Sequence, residues 1–575
     1  MKVVLAALNA KYIHSCLAVY SLKANAAEYK NDISIEEYTI NQKNEDIVRQ
    51  LYVSGPDVLA FSCYIWNIEQ TMRVVRDIRK ILPVTRIWLG GPEAFYNAKK
   101  LLEENQELDG IMLGEGEHTF YELLRFYDGK GKSLKDVNGI VLREGSSIVD
   151  TGFRDVLNMD GLEFAYGDLS DFEHRIIYYE SSRGCPFSCS YCLSSIEKKL
   201  RFRSVEKVKK DLEFFLSSRV RQVKFVDRTF NADKRHADAV WTFLLENDNG
   251  ITNFHFEISA DLLDEEQLHL LSRMRKGLIQ LETGVQTANQ ATLGEIDRRM
   301  DLDKVKEATV RIRSFKNIHQ HLDLIAGLPF ESFDSFGRSF DEVYSLRPDM
   351  LQLGFLKVLR GSKMHDKASE YGLISQSAPP YEVMQTKWLT YDELDALKGV
   401  EEALEIYYNS GQFVNTLRCL ERSFESPFEM YRMLAVALKE MNRYMKHSRG
   451  DYYECLLRSA IDANKEEIYR ELLTLDLYLR ENLKSRPGFA KNQDRFKEDI
   501  KNFYRDTDKV SQYLRGYEEF DSKQIARMTH IEVFERDIFR FVETGSDDGS
   551  VTGILFDYRN KDEMTNQAKL YVVNL

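Results

Sequence analysis

The chain is 575 residues long, 43% hydrophobic and 30% charged, with a formal net charge of −13. This length predicts two to four domains, while the acidic balance disfavours a nucleic-acid partner, which would need a surplus of Lys and Arg. No apolar run is long enough to span a bilayer as a helix, and seven scattered cysteines do not form a disulfide framework, so a cytoplasmic, reducing location with no membrane partner is expected.

The apolar stretch from Val3 to Leu8 is cut short by Asn9, which predicts a buried first strand rather than a signal peptide. Up to about Arg143, strands are predicted at Lys2–Leu8, Ser34–Tyr38, Val58–Ser62, Arg86–Leu89 and Gly110–Leu113, with helices near Leu17–Glu28 and Glu69–Leu82. This alternation implies a parallel sheet, and the glycines at its strand ends mark the edge where a bulky ligand approaches the backbone. After a Gly- and Asp-rich linker a second alternation follows. Its strands are near Arg175–Ser181, Gln222–Asp227, Asn253–Ile258, Leu278–Gly284, His319–Ile325 and Met350–Leu356, with helices at Val205–Leu216, Asp264–Arg275, Asp303–Ser314 and Ser332–Ser345. Six strand-helix units predict a partial (β/α)6 TIM-type barrel, with its chemistry on the loops leaving the strands. From about Ala378 the period is helical, with a capping box at Thr390 and Glu393 and Ser426-Pro427 opening another helix, before short strands near Ile554–Tyr558 and Leu570–Val573. The fold class is α/β, divided as residues 1–145, a linker 146–174, a barrel 175–375 and a mostly helical region 376–575 with terminal strands.

Cys185, Cys189 and Cys192 lie in the run Ser182-Arg183-Gly184-Cys185-Pro186-Phe187-Ser188-Cys189-Ser190-Tyr191-Cys192. Three clustered thiolates can hold a metal centre yet leave one tetrahedral corner open, and Arg183 to Glu206 supplies no fourth thiol or histidine. A zinc site completed from afar and three incidental buried thiols are the alternatives. The spacing resembles the radical S-adenosylmethionine (radical SAM) signature. That resemblance implies a [4Fe-4S] cluster held by the three cysteines, SAM on the fourth iron, and reductive cleavage of SAM to a 5'-deoxyadenosyl radical. Tyr191 fits the aromatic position that often precedes the third cysteine in this family.

Polar residues end several barrel strands: Asp227, Glu257, Glu282 and Gln286. SAM presents an ammonium, a ribose diol and an adenine edge, to which carboxylates, amides and exposed backbone are complementary. Helix capping and surface ion pairs are the alternative roles. Gly327, in Gly327-Leu328-Pro329, resembles the family's backbone contact to adenine. Arg203 and Lys357 are weighed as partners of the SAM carboxylate or of the substrate, against ordinary surface pairing.

The first region is similar to the Rossmann-like cobalamin-binding domain fused to one large radical SAM class, through Asn9 to His14, Ala60 to Asn67, Leu89 to Glu93 and Gly114 to Glu117. By that resemblance Ser62, Gly90, Gly91, Glu115 and Gly116 line the cobalamin slot. The Asp-x-His-x-x-Gly motif that gives cobalt a histidine elsewhere is absent; His14 is the nearest imidazole, and a hydrogen-bonding role is its ordinary reading. Trp66 and Cys63 are expected to pack in the core. The tail resembles an uncharacterised domain found after such barrels.

Together these features predict a cobalamin-dependent radical SAM enzyme that methylates an unactivated carbon of a small-molecule or peptide substrate, reduced by a flavodoxin or ferredoxin. The alternatives are a radical SAM enzyme that uses cobalamin for rearrangement, oxidation or electron transfer, and a non-catalytic cobalamin or iron-sulfur sensor.

Overall fold

The structure, a computed structural model, describes residues 1–131, 133–441, 447–459, 465–547, 549–562 and 565–575. Strands β1 (Val3–Asn9), β2 (Ile33–Thr39), β3 (Val58–Ser62), β4 (Arg86–Gly90), β5 (Gly110–Met112), β6 (Ile140–Glu144) and β7 (Ser147–Asp150) form one sheet in the order β2-β1-β3-β4-β5-β6-β7. Its first five strands are parallel, and β6 and β7 add an antiparallel edge. Both faces are covered: Val4, Ala6 and Leu8 enter one apolar core, and Val3, Leu5 and Ala7 the other. Burial on both sides explains why these strands are continuous apolar runs.

The barrel strands are β8 (Ile177–Tyr179), β11 (Gln222–Phe225), β12 (Asn253–Ile258), β13 (Ile279–Gln286), β14 (His319–Ala326) and β15 (Met350–Phe355). They pair in parallel, in chain order, and the sheet stays open between β8 and β15. Between β8 and β11, the short antiparallel pair β9 (Ser182–Arg183) and β10 (Arg201–Phe202) brackets the cysteine loop. Along β13 buried Ile279, Leu281, Thr283 and Val285 alternate with less buried Gln280, Glu282, Gly284 and Gln286. The apolar set enters the core and the polar set faces the interior, where Lys224 meets Glu282 at 3.0 Å and His255 meets it at 2.8 Å.

The C-terminal helices share one apolar core with the barrel, where Phe428 packs against Phe336 and Phe340. The predicted capping box of Thr390 and Glu393 and the start at Pro427 are present. A hairpin, β16 (Ile374–Ser375) and β17 (Val383–Gln385), precedes these helices, and the chain ends in an antiparallel sheet of β18 (Thr529–Phe534), β19 (Thr552–Asp557) and β20 (Lys569–Val573). Among the described residues, no helix is long and apolar enough to cross a membrane.

One local expectation is corrected. The helix expected to reach Glu28 stops at Ala24, where the Asn25 side chain takes the Ser21 carbonyl at 2.8 Å. The helix Asn44–Ser54 and the β6–β7 hairpin have no named counterpart in the sequence pattern, while the helix expected between the second and third barrel strands spans Lys234–Glu246. The first helix is weakly patterned, with only Ile47 and Leu51 buried.

Candidate active site

The cysteine loop is a fixed turn. Gly184 has φ +90°, and a Cβ there would lie 2.5 Å from the Lys199 carbonyl, so only glycine lets the two limbs of the loop pass this closely. The amide of Cys185 donates to the Glu197 carbonyl at 3.0 Å, and the amide of Ser190 to that of Ile296 at 2.9 Å. All three cysteines line one cleft of about 200 Å³ at the barrel mouth, with Tyr191, Arg228, Glu257, Glu282, Gln286 and Arg298 in the same wall. No other thiol and no imidazole lines it among the described residues. Arg298 sits 3.6 Å from the Cys189 sulfur and 3.4 Å from the Tyr191 hydroxyl, and its other limb donates to the Gly284 carbonyl. Burial pushes the Cys185 thiol up, and the neighbouring Cys192 and Cys189 add to the rise.

The expected SAM residues separate into two groups. Tyr191, Glu257, Glu282 and Gln286 line the cleft. A bulge between Gly284 and Gln286 turns the Gln286 side chain back over Gly284, and its Oε1 is buried without a partner among the described residues, an orphan acceptor in the wall of a ligand-sized space. Glu257 has its proton affinity raised to about 7 by burial and the Glu282 charge, against Lys224 and Arg228. Burial acts on Glu282 too, but the His255 hydrogen bond and the Lys224 charge override it and hold that carboxyl at about 2.

Asp227 and Gly327 fall outside the cleft wall. Asp227 is fully buried and accepts from the Ser181 amide at 3.0 Å and from the Ser181 and Ser182 hydroxyls at 2.6 Å each. Its partners lie in the strand leading into the cysteine loop, so it clamps that loop and has no oxygen left for a ligand. Gly327 faces β17, where a Cβ would lie 2.6 Å from Val383 Cγ1. Arg203, also outside both cavities, is buried beside Asp211 at 3.8 Å, and Lys357 forms a backbone bridge to Glu382.

Burial raises the Asp227 carboxyl to about 6, and its three hydrogen bonds offset only part of that rise. The native state therefore holds this proton more tightly than the unfolded chain, so the contribution to stability is full below the unfolded value near 4 and is lost as pH rises through about 6. Between pH 5 and pH 7 the wild type is expected to lose about 1 kcal/mol more than Asp227→Asn. Urea unfolding at the two pH values measures this; equal losses in both proteins would remove the assigned pKa.

The second cavity, of about 780 Å³, lies between the strand ends of the first sheet and the barrel mouth. Ser62, Gly90, Gly91, Glu115 and Gly116 all line it, with Asn9, His14, Trp66 and, from the barrel, Arg183, Lys224, Arg228 and Glu257. The Glu115 carboxylate is already engaged, accepting from Arg201 and from the Leu157 amide at 2.8 Å. His14 shares a 2.6 Å hydrogen bond through Nδ1 with the Tyr178 hydroxyl, and burial lowers its proton affinity. Cys63 is fully buried, whereas Trp66 is corrected from core to cavity wall: it is 46% exposed and stacks on Tyr64 at 4.4 Å.

Residues that sequence patterning missed tie the two cavities together. Arg183, beside Gly184, donates to Glu117 at 2.5 Å and to Glu180 at 2.8 Å, while Ser21 donates to the same Glu117 at 2.8 Å. The loop carrying the thiols is thereby fastened to the Glu115-Gly116-Glu117 turn that lines the larger cavity.

Residues 3–124 match the B12 binding domain family and residues 179–343 the Radical SAM superfamily. The chain carries a B12 binding domain followed by a radical SAM domain. Residues 369–556 match a family described as a protein of unknown function. The chain is 25% identical over 374 residues to the cobalamin-dependent radical SAM methyltransferase TokK of Streptomyces tokunonensis, covering 60% of this chain and 54% of TokK. It is 24% identical over 358 residues to the anaerobic magnesium-protoporphyrin IX monomethyl ester cyclase of Cereibacter sphaeroides, covering 57% of this chain and 55% of the cyclase. The chain thus spans about half the length of the curated relatives it matches. Its fold is similar to that of the cobalamin-dependent S-adenosylmethionine radical enzyme OxsB, solved with aqua-cobalamin and S-adenosylmethionine bound, with a TM-score of 0.57 at 15% identity over 83% of this chain and 78% of OxsB.

The cofactors of a radical SAM protein with a B12 binding domain are a [4Fe-4S] cluster, SAM and cobalamin. The residues fit them. Three thiols around one cleft suit a cluster with an open iron, the orphaned Gln286 acceptor suits a polar ligand beside it, and the larger cavity is backed by Gly90, Gly91 and Gly116, where a long group can lie against backbone.

Proposed function

We propose that this chain is a cobalamin-dependent radical SAM methyltransferase acting on an unactivated carbon of a small molecule or peptide. The observation that carries this reading is that the thiol cleft and the larger cavity share a wall: Arg228 and Glu257 line both. A substrate at that junction would touch both cofactor sites. Once bound, the cluster and SAM would supply a hydrogen-abstracting radical and cobalamin a methyl group.

The chain's own work is placement and enclosure. Asp227 and Gly184 fix the cysteine loop, Arg298 lies against the Cys189 sulfur, and the Arg183–Glu117 pair sets the spacing of the two cavities. Enclosure between two α/β layers excludes water from a reactive carbon centre, and alignment supplies much of the rate. The same reading calls for a reducing cytoplasm and a flavodoxin or ferredoxin as electron donor.

The resemblance to a cyclase supports a second reading, in which cobalamin serves oxidation or ring formation. Anaerobic incubation of the iron- and cobalamin-loaded protein with SAM, a reductant and candidate metabolites separates the readings. Methyl transfer gives deoxyadenosine, S-adenosylhomocysteine and a product heavier by about 14 Da. Deoxyadenosine without that mass gain favours the second reading, and cofactor binding with no SAM cleavage points to a sensor.

A further inference from the structure

We infer that the substrate carries an oxyanion, a carboxylate or a phosphate, and that Arg228 receives it at the junction of the two cavities. This rests on the proposed function for its cofactors and extends it to the substrate's chemistry.

Arg228 is presented from a locked backbone. Asp227 before it is held by three buried hydrogen bonds, and Thr229 after it donates to the Arg228 carbonyl at 2.7 Å and lies 3.8 Å from the Cys185 sulfur. The side chain faces both the thiol cleft and the larger cavity. Three other cations in these walls are engaged, Arg183 by Glu117 and Glu180, Lys224 by Glu282, and Arg298 by the Gly284 carbonyl and Tyr191, which leaves Arg299 in the cleft wall alone beside Arg228. Among the described residues, the Arg228 guanidinium makes no ion pair. The carboxylates nearby have other partners: Glu180 pairs with Arg183, Glu282 with Lys224 and His255, and Glu257 lies 3.7 Å from Lys224.

An exposed guanidinium on a fixed backbone at a concave wall, with its planar donors unused by the described residues, matches the paired oxygens of a carboxylate or phosphate. SAM brings a carboxylate of its own, so the source must be decided. Arg299 lines the thiol cleft alone, also without an ion pair among the described residues, and is the guanidinium placed for an anion held entirely within that cleft. Arg228 also reaches the larger cavity, where a molecule lying between the cofactors must sit.

The test uses iron-reconstituted, dithionite-reduced full-length protein, whose paramagnetic cluster speeds the phosphorus NMR relaxation of inorganic phosphate bound nearby. The wild type should show saturable enhancement, Arg228→Gln should weaken phosphate binding by about tenfold or more, and Arg228→Lys should weaken it less. SAM affinity by equilibrium dialysis should stay within about twofold in both variants. Enhancement that is absent in the wild type or undiminished in Arg228→Gln overturns the inference. So does a loss of SAM affinity of about tenfold in Arg228→Gln, because the arginine would then serve the SAM carboxylate. If Arg228→Gln fails to load iron, Arg228→Lys decides, and phosphate binding equal to wild type there counts against the inference. Iron content and the reduced cluster's spectrum are read separately: a wild type without iron removes the cofactor reading itself, whereas loaded iron without phosphate contact removes only this inference.

Discussion

Alanine at any one of Cys185, Cys189 and Cys192 is expected to abolish the visible absorbance of the reconstituted cluster and all deoxyadenosine release. The wall around them explains why the effect should be complete. Glu257, Glu282 and Asp323 are its nearby ionisable donors, and hard carboxylate oxygens replace a thiolate poorly on an iron-sulfur cluster. Glu282 is in any case committed to Lys224 and His255. With two thiolates left, no donor of the right softness can move in. The other four cysteines give the contrast. Cys16, Cys63, Cys419 and Cys455 are buried elsewhere, so alanine there should cost stability while the spectrum persists. Iron and sulfide content after anaerobic reconstitution measures both sets. Full iron in all three triplet variants, or zinc with four ligands at this position, would end the radical assignment.

What the sequence made legible was chemistry carried by neighbours in the chain. The cysteine spacing spans eight residues, and strands such as Val58–Ser62 and Asn253–Ile258 declare themselves through unbroken or alternating apolar character. Relations across the chain were not legible. Asp227 ends an apolar strand in the way a ligand-binding carboxylate would, but its partners Ser181 and Ser182 are 46 and 45 residues upstream. Burial against them turns a candidate ligand contact into a clamp. Arg183 stands inside the cysteine run, yet its role depends on Glu117, 66 residues away at the start of the helix Glu117–Tyr127. Gly327 shows the same limit: a glycine after a barrel strand can face a ligand or a neighbour, and here the β17 hairpin occupies that side.

Gly91→Ala is expected to weaken hydroxocobalamin binding by about tenfold or more while leaving iron content unchanged. Gly91 joins β4 to the short helix Pro92–Phe95 with φ +100° and ψ 164°, a region of backbone space that is almost exclusively glycine's and costs another residue about 1–3 kcal/mol. The added Cβ would also stand 2.4 Å from the Cys63 carbonyl oxygen and 3.0 Å from its nitrogen, both main-chain atoms that no side-chain rotation can clear. The Cys63 amide is bound to the Gly90 carbonyl at 2.7 Å, so the clash must push apart the ends of β3 and β4, where Ser62, Gly90 and Gly91 form the cavity wall. The cysteine loop belongs to the other sheet and should keep its iron. Gly90→Ala is the internal control: its Cβ meets only the Met112 side chain, at an ordinary 3.5 Å, so the strand ends stay in place and any loss should be smaller. Equal affinities in the wild type and Gly91→Ala, by absorbance titration, would show that this wall is not where the corrinoid rests. Equal losses in both variants would point to crowding of the cavity instead of displacement of its frame.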